Sequence, residues 1–302
     1  MKFDVVGFGA LNLDRTFHVP YIAHENGESS IISVSTAPGG SAANTIVGLS
    51  RLGMQTGFIG KVATDPPGTQ LIQSFTAENV NVDGILITET GSSGIVYCFV
   101  DTQGERAMYI DPGVNDTLTF NEVNLDYYHD SKFLHYSSFT GLSPLQAQIQ
   151  LRDHLSNTQL SIDPGTIYAM KGLHTLKPLL KDCHVFLPNE HELYLMTKKK
   201  YASGAQVLLD LGVQIIAVKL GMRGCYVTNG HEKYTLSPPA VEVYNTTGAG
   251  DAFCAGFLYG LLRGQDLHTC GSLGNHVASC VLKTSGARQG LPYHQDLASK
   301  DF

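Results

Sequence analysis

The sequence has 302 residues, 43% of them hydrophobic and 16% charged, enough to bury a large core without disulfides or metals. A net charge of −7 argues against a non-specific nucleic-acid binder, because phosphate backbones reward clustered Lys and Arg, but backbone amides can still hold a small anion. There is no basic leader and no stretch near the ~18 apolar residues of a membrane span, so the expectation is a cytoplasmic protein without a membrane partner.

FDVVGFG, residues 3 to 9, is a short apolar run ending in glycines and reads as a buried strand. Residues 11 to 37 include a polar, extended stretch, GESSIISVSTA. SAANTIVGLSRLG then has helical spacing with Gly53 as its stop. Strand-like TGFIGKV precedes helical TQLIQSFTAENV, and SSGIVYCFVDTQGERAMYID reads as a hairpin turning at TQGE. Next come strand-like SKFLHYS, helical PLQAQIQLRDHL, and strand-like TQLSID and CHVFLP. Helical NEHELYLM and GAQVLLDLG, strand-like QIIAVKL, and two long helical patterns, Ala249 to Leu262 and Leu267 to Lys283, complete the chain.

This alternation predicts an α/β fold with a mostly parallel sheet covered on both faces. The segments that break the rhythm, about 12–37 and 92–111, are expected to form a small β-sheet lid on a single domain. The exposed face of its hairpin, with Val96, Phe99 and Tyr109, could pair with a second copy to give a dimer or could merely cover the substrate. The six cysteines form no C-x-x-C pair and read as reduced and mostly buried. The N-x-T sequences at Asn115 and Asn245 read as accidental sequons.

Several motifs carry chemistry. VGFGALNLD lacks the third glycine of a dinucleotide fingerprint, having Asn12 there. Asn12 and Asp14 instead follow a strand end and face one side, as a pair for adjacent hydroxyls or as ordinary Asx turn caps. In PGGSAAN, Gly39 and Gly40 can expose amides to a ligand, and Asn44 can point its amide the same way.

TTGAGD opens a helix with small residues, so the N–H groups of Gly248, Ala249 and Gly250 can form an anion hole. Asp251 beside it suits a base for a hydroxyl attacking a phosphoryl group, and suits equally a first-turn acid favoured by the dipole. In PNEHE, Asn189 and Glu192 share a helix face and could organise water around Mg²⁺, or be ordinary helix-start residues. Lys219 in VKLGMRG could reach a phosphate or be a solvated strand-end lysine, with Gly221 and Gly224 in the turn.

Together, GGSAAN, N-x-x-E at 189 to 192, K-L-G-x-x-G at 219 to 224 and NTTGAGDAFCAGFL at 245 to 258 resemble the ribokinase-like (PfkB) carbohydrate kinase family, in order and spacing, across nearly the whole chain. The resemblance implies a doubly wound α/β kinase with a β-sheet lid, transferring the γ-phosphate of ATP to a sugar hydroxyl. By position, Asp251 would be the base, with the Gly248, Ala249 and Gly250 amides as the anion hole. Asn12, Asp14, Gly39, Gly40 and Asn44 would bind the sugar. Asn189, Lys219, Gly221, Gly224 and Asn275 would line the ATP cleft, with Glu192 organising Mg²⁺ through water.

Three departures bear on substrate and ions. Ser41 stands where ribokinases usually have lysine. Asn245 replaces the usual aspartate, and Gly290 stands where a hydroxyl would bind a monovalent cation. These speak against K⁺ activation, although Asn245, Thr247 and Gly286 remain the candidate residues for such an ion. PGGSAANTIVGLSRLG also resembles archaeal nucleoside kinases of the family.

The expected substrate is therefore the primary hydroxyl of a furanose-like sugar, a ribose-type sugar or a ribonucleoside. One rival is a phosphofructokinase-type enzyme acting on a sugar phosphate, for which the lid offers only Arg15 and Arg106 as basic residues. The other is a non-catalytic sugar or nucleotide sensor on the same scaffold.

Overall fold

Short apolar runs bounded by glycine and turn residues form the strands, and the computed structural model describes them over residues 3–155 and 157–297. In chain order the strands are β1 (Val5–Phe8), β2 (Asn12–His18), β3 (Ser33–Pro38), β4 (Thr56–Ala63), β5 (Ile85–Thr88), β6 (Gly94–Val100) and β7 (Arg106–Asp111). They continue as β8 (Phe133–Tyr136), β9 (Gln159–Ile162), β10 (Val185–Phe186), β11 (Ile215–Lys219), β12 (Cys225–Thr228) and β13 (Lys233–Leu236). The main sheet runs β13-β12-β11-β10-β9-β8-β1-β4-β5. Its strands pair in parallel except where β12 joins β11 and β13. The chain winds outward from β1 to β4 and β5, then returns to β1's other side at β8. Connections therefore diverge beside β1, at the carboxyl ends of the strands, where open α/β sheets bind ligands.

Two cores cover the sheet. On one face α1 (Ser41–Arg51), α2 (Pro66–Ala77), α8 (Ala249–Leu262) and α9 (Leu267–Val281) bury Ile46, Phe75, Phe257 and Val277. On the other, α4 (Leu142–Arg152), α5 (Gly165–Leu180), α6 (Glu190–Thr197) and α7 (Tyr201–Asp210) bury Leu145, Tyr168, Leu193 and Leu208; α3 (Leu125–Tyr128) is a single turn. Helix α5 is absent from the sequence expectation. Gly172 leaves helical geometry at φ 80° and Pro178 lies inside it, so its apolar pattern is interrupted twice.

The segments that broke the rhythm form a separate sheet, β3-β2-β6-β7. Its register places Asp14 beside Val96 and Ile110, and Cys98 beside Met108, on one face. Phe17, Tyr97, Phe99 and Tyr109 lie on the other, with Phe17 stacked on Phe99 at 5.1 Å. The expected grouping of Val96 with Phe99 and Tyr109 is therefore wrong: residues three apart on a strand face opposite ways. The six cysteines are free and four are buried. Among the described residues no helix is long and apolar enough to cross a membrane.

Candidate active site

Helix α8 begins at the loop the TTGAGD motif marks. Gly248 is its N-cap at φ 79°, and a Cβ there would overlap the backbone of Ala287, so only glycine fits. The Ala249 N–H reaches the Thr246 carbonyl at 3.3 Å. Among the described residues the Gly248 and Gly250 N–H groups have no such backbone partner, which leaves them to the positive end of the helix dipole.

Asp251, in the first turn, turns its carboxylate toward α1. Oδ1 accepts from Ser41 Oγ and Oδ2 from Asn44 Nδ2, each at 2.8 Å, and Thr45 Oγ1 donates to its carbonyl at 3.2 Å. Burial and then Asp163 push Asp251 up to about 6, against the pull of Asn44, Ser41 and Lys219. The GGSAAN and TTGAGD motifs thus meet at one carboxylate.

Lys219, at the end of β11, is not a solvated lysine. Its Nζ donates to Asp163 Oδ2 at 2.7 Å, with the Cys254 thiol donating to the same oxygen at 3.3 Å. Burial works against the ammonium, but Asp163, Cys254 and Glu192 outweigh it and hold Lys219 above its ordinary value. A Cβ on Gly250 would lie 3.5 Å from Nζ, so this cation flanks the first turn of α8.

Asn189 and Glu192 form a capping box: Asn189 Oδ1 accepts from the Glu192 N–H and Glu192 Oε2 from the Asn189 N–H, each at 2.8 Å. Burial pushes Glu192 up to about 7, with Lys219 opposing and Asp163 and Asp251 reinforcing the shift. The pair's sequence signature therefore has a structural meaning whatever its ligand.

At the start of β2, Asn12 is buried, and its Oδ1 accepts from Asn115 Nδ2 at 3.1 Å. Asn115 also binds both the N–H and the carbonyl of Leu11 at 2.9 Å, which makes it a buried brace. The Asp14 carboxylate lies directly on Gly39, where any Cβ would overlap it; burial pushes it up to about 7, with Arg288 opposing and Asp251 reinforcing. Gly40, at φ 98°, is the N-cap of α1. Arg288 Nε donates to Asn44 Oδ1 at 2.8 Å.

Beyond β11, Gly221 and Gly224 turn at φ 61° and 82°, and Asn275 Nδ2 donates to the Leu236 carbonyl at 3.0 Å, beside Gly224. Asn245 Oδ1 accepts from the Thr247 N–H at 2.7 Å. Thr247 Oγ1 accepts from Arg106 Nη1 at 2.7 Å, and Thr246 Oγ1 from Nη2 at 3.1 Å, so the small sheet touches the helix-start loop. Gly286, at φ 78°, precedes Ala287, which packs on Gly248.

Sequence reasoning missed Asp163, Asn115 and Arg288. Asp163 had a signal, since it ends the strand-like TQLSID just as Asn12 and Asp14 follow theirs. Asn115 had none, and Arg288 had none that tied it to Asn44.

Residues 2–293 match the family model described as pfkB family carbohydrate kinase. The chain belongs to that family. This pfkB-family sugar kinase, a phosphotransferase with an alcohol acceptor, is 42% identical over 253 residues to an uncharacterized sugar kinase of Archaeoglobus fulgidus, covering 83% of this chain and 100% of that one. It is 29% identical to the ATP-dependent ribose-1-phosphate kinase of Halopiger xanaduensis, over 94% of this chain and 93% of the other. Its fold matches the ribokinase of Thermotoga maritima with a TM-score of 0.89 at 21% identity, over 98% of both chains.

Proposed function

We propose that this pfkB-family kinase transfers the γ-phosphoryl group of ATP to a primary hydroxyl of a furanose-like sugar, free or within a ribonucleoside, in the cytoplasm. The observation that carries the reading is the Asp251 carboxylate, fixed by Ser41 and Asn44 beside the first-turn amides of α8. Asp251 takes the acceptor proton as the new O–P bond forms, and the Gly248 and Gly250 N–H groups, joined by that of Ala249 once it leaves the Thr246 carbonyl, face the charge that develops on the phosphoryl oxygens. Asn12, Asp14, Gly39, Gly40 and Asn44 hold the sugar. Asn189, Gly221, Gly224 and Asn275 line the nucleotide cleft, and Lys219, anchored by Asp163, places a positive charge at its phosphate end.

Among the described residues no three His, Cys, Asp or Glu side chains gather as a metal site. Mg²⁺, which would neutralise nucleotide phosphates when bound, would then be held through water, with the buried Glu192 carboxylate as the water's acceptor. The side-chain oxygens of Asn245 and Thr247 are already engaged, so the reading includes no K⁺.

One observation favours a second reading, an acceptor that already carries phosphate. Arg288 sets a guanidinium against Asn44 in the acceptor pocket, a cation beyond the Arg15 and Arg106 of the lid. Assaying pentoses, ribonucleosides and sugar phosphates with Mg-ATP separates the two. Faster phosphorylation of sugar phosphates would replace the first reading with the second, and no turnover on any acceptor would favour the sensor.

The small sheet serves as the lid, with its Asp14 face inward and Arg106 reaching the threonines before the anion hole. Its outer face, with Tyr109 64% and Val34 55% exposed, is the surface for a homodimer. Sedimentation at micromolar concentration is expected to give a dimer that Tyr109→Arg converts to monomer; a monomeric wild type would remove this assembly.

A further inference from the structure

Resting on the assignment of Asp251 as base, we propose that Arg288 is a positioning residue: it locks the Asn44 side-chain amide in the one orientation that donates to Asp251.

A primary amide is nearly symmetric in shape, so the Asn44 oxygen and nitrogen can exchange places at little steric cost. Only neighbours decide which one faces Asp251. A carboxylate oxygen accepts and a guanidinium only donates. Arg288 Nε, 2.8 Å from Asn44, therefore fixes oxygen on its own side and nitrogen on the other, where Nδ2 meets Asp251 Oδ2 at 2.8 Å. Without Arg288, the Asn44 oxygen loses its donor and Asp251 alone is left to orient the amide, so the amide can rotate away and leave the carboxylate without its Nδ2 donor and free to turn from the acceptor.

Arg288 itself is well held. Nη1 donates to Ser74 Oγ and Nη2 to the Gly39 carbonyl, both at 3.3 Å, and its guanidinium carbon lies 5.6 Å from the Phe75 ring centre. Burial lowers Arg288 to about 10, against the pull of Asp14, Glu78 and Asp251, so it stays charged at neutral pH. One cation thus ties the β3–α1 turn, the first turn of α1 and α2 to the loop after α9.

Arg288→Met removes the donors and keeps an apolar stem on Phe75. Turnover number and KM for both substrates are measured for Arg288→Met, Asn44→Ala, the double variant and Asp251→Asn, with melting temperature as the folding control. If Arg288 acts through Asn44, Arg288→Met loses about tenfold or more in kcat, keeps the KM for ATP within about twofold and raises the acceptor KM no more than Asn44→Ala does. The same change adds less than about twofold in the Asn44→Ala background.

Independent, multiplying losses would overturn the proposal. So would a raised acceptor KM at unchanged kcat, which would make Arg288 a substrate-binding group. Normal turnover in Arg288→Met with a dead Asp251→Asn would remove the positioning role and leave the base assignment standing. An active Asp251→Asn would remove both. Should Arg288→Met not fold, Arg288→Gln, which keeps a donor, is expected to fall between wild type and Asn44→Ala in kcat; a wild-type kcat in it, at an unchanged acceptor KM, would support an amide lock that needs a donor but no charge, and a kcat below that of Asn44→Ala would overturn the proposal.

Discussion

Asp251→Asn is expected to bind ATP normally and to lose roughly 10²- to 10⁴-fold in turnover, the usual range for a positioned proton acceptor. The isosteric amide can still accept from Asn44 Nδ2 and can donate to Ser41 Oγ, so the fold has no reason to fail. Because Asp251 sits at about 6 and acts when ionised, the wild-type rate should rise through about pH 6 and level above it.

Stability should move the opposite way. The folded protein holds this proton more tightly than the unfolded chain does. Asp251 therefore contributes most below about pH 4 and costs stability as pH rises through about 6, up to about 3 kcal/mol at neutral pH. Asp251→Asn should then melt higher than wild type at pH 8, with the gap closing at pH 4. Near-normal turnover would end the base assignment, and a melting gap that does not depend on pH would contradict the burial of this charge.

Lys219→Met is expected to cost about 3–5 kcal/mol in urea unfolding, because it leaves the 4% exposed Asp163 charged without its cation. The double variant Lys219→Met/Asp163→Asn should recover more than half of that loss, since neither charge is then stranded. Activity should not recover with it, as the positive charge beside α8 is gone in both. A single variant within about 1 kcal/mol of wild type would mean that the pair is water-accessible.

The motifs were legible because each is local. Gly248 must be glycine for its turn and for Ala287, and Gly39 for Asp14, so both leave marks in the sequence. Most strands were legible through their unbroken apolar runs, as in TGFIGKV, but the edge strands β5 and β13 were not, because each is a short four-residue run beside a turn. What stayed hidden is relational. Lys219 was read as a solvated lysine or a reach toward a phosphate because nothing near it in sequence announces Asp163, and Arg288 lies 244 residues from the amide it holds. Asn115, a buried brace, was read only as an accidental sequon. The face of Val96 depended on strand parity, which the run of apolar letters around it concealed.

The reach of Arg288 has a consequence for synthesis. The pocket that residues 12 to 75 begin is completed by a loop that, among the described residues, follows every strand and all the long helices. A nascent chain can form α1 and much of the sheet, yet on the ribosome it lacks the cation that seats Asn44, Ser74 and Gly39. Premature termination or a proteolytic cut ahead of Arg288 would therefore leave a partly folded body without phosphotransfer, and activity in a lysate would report on chains translated past that point.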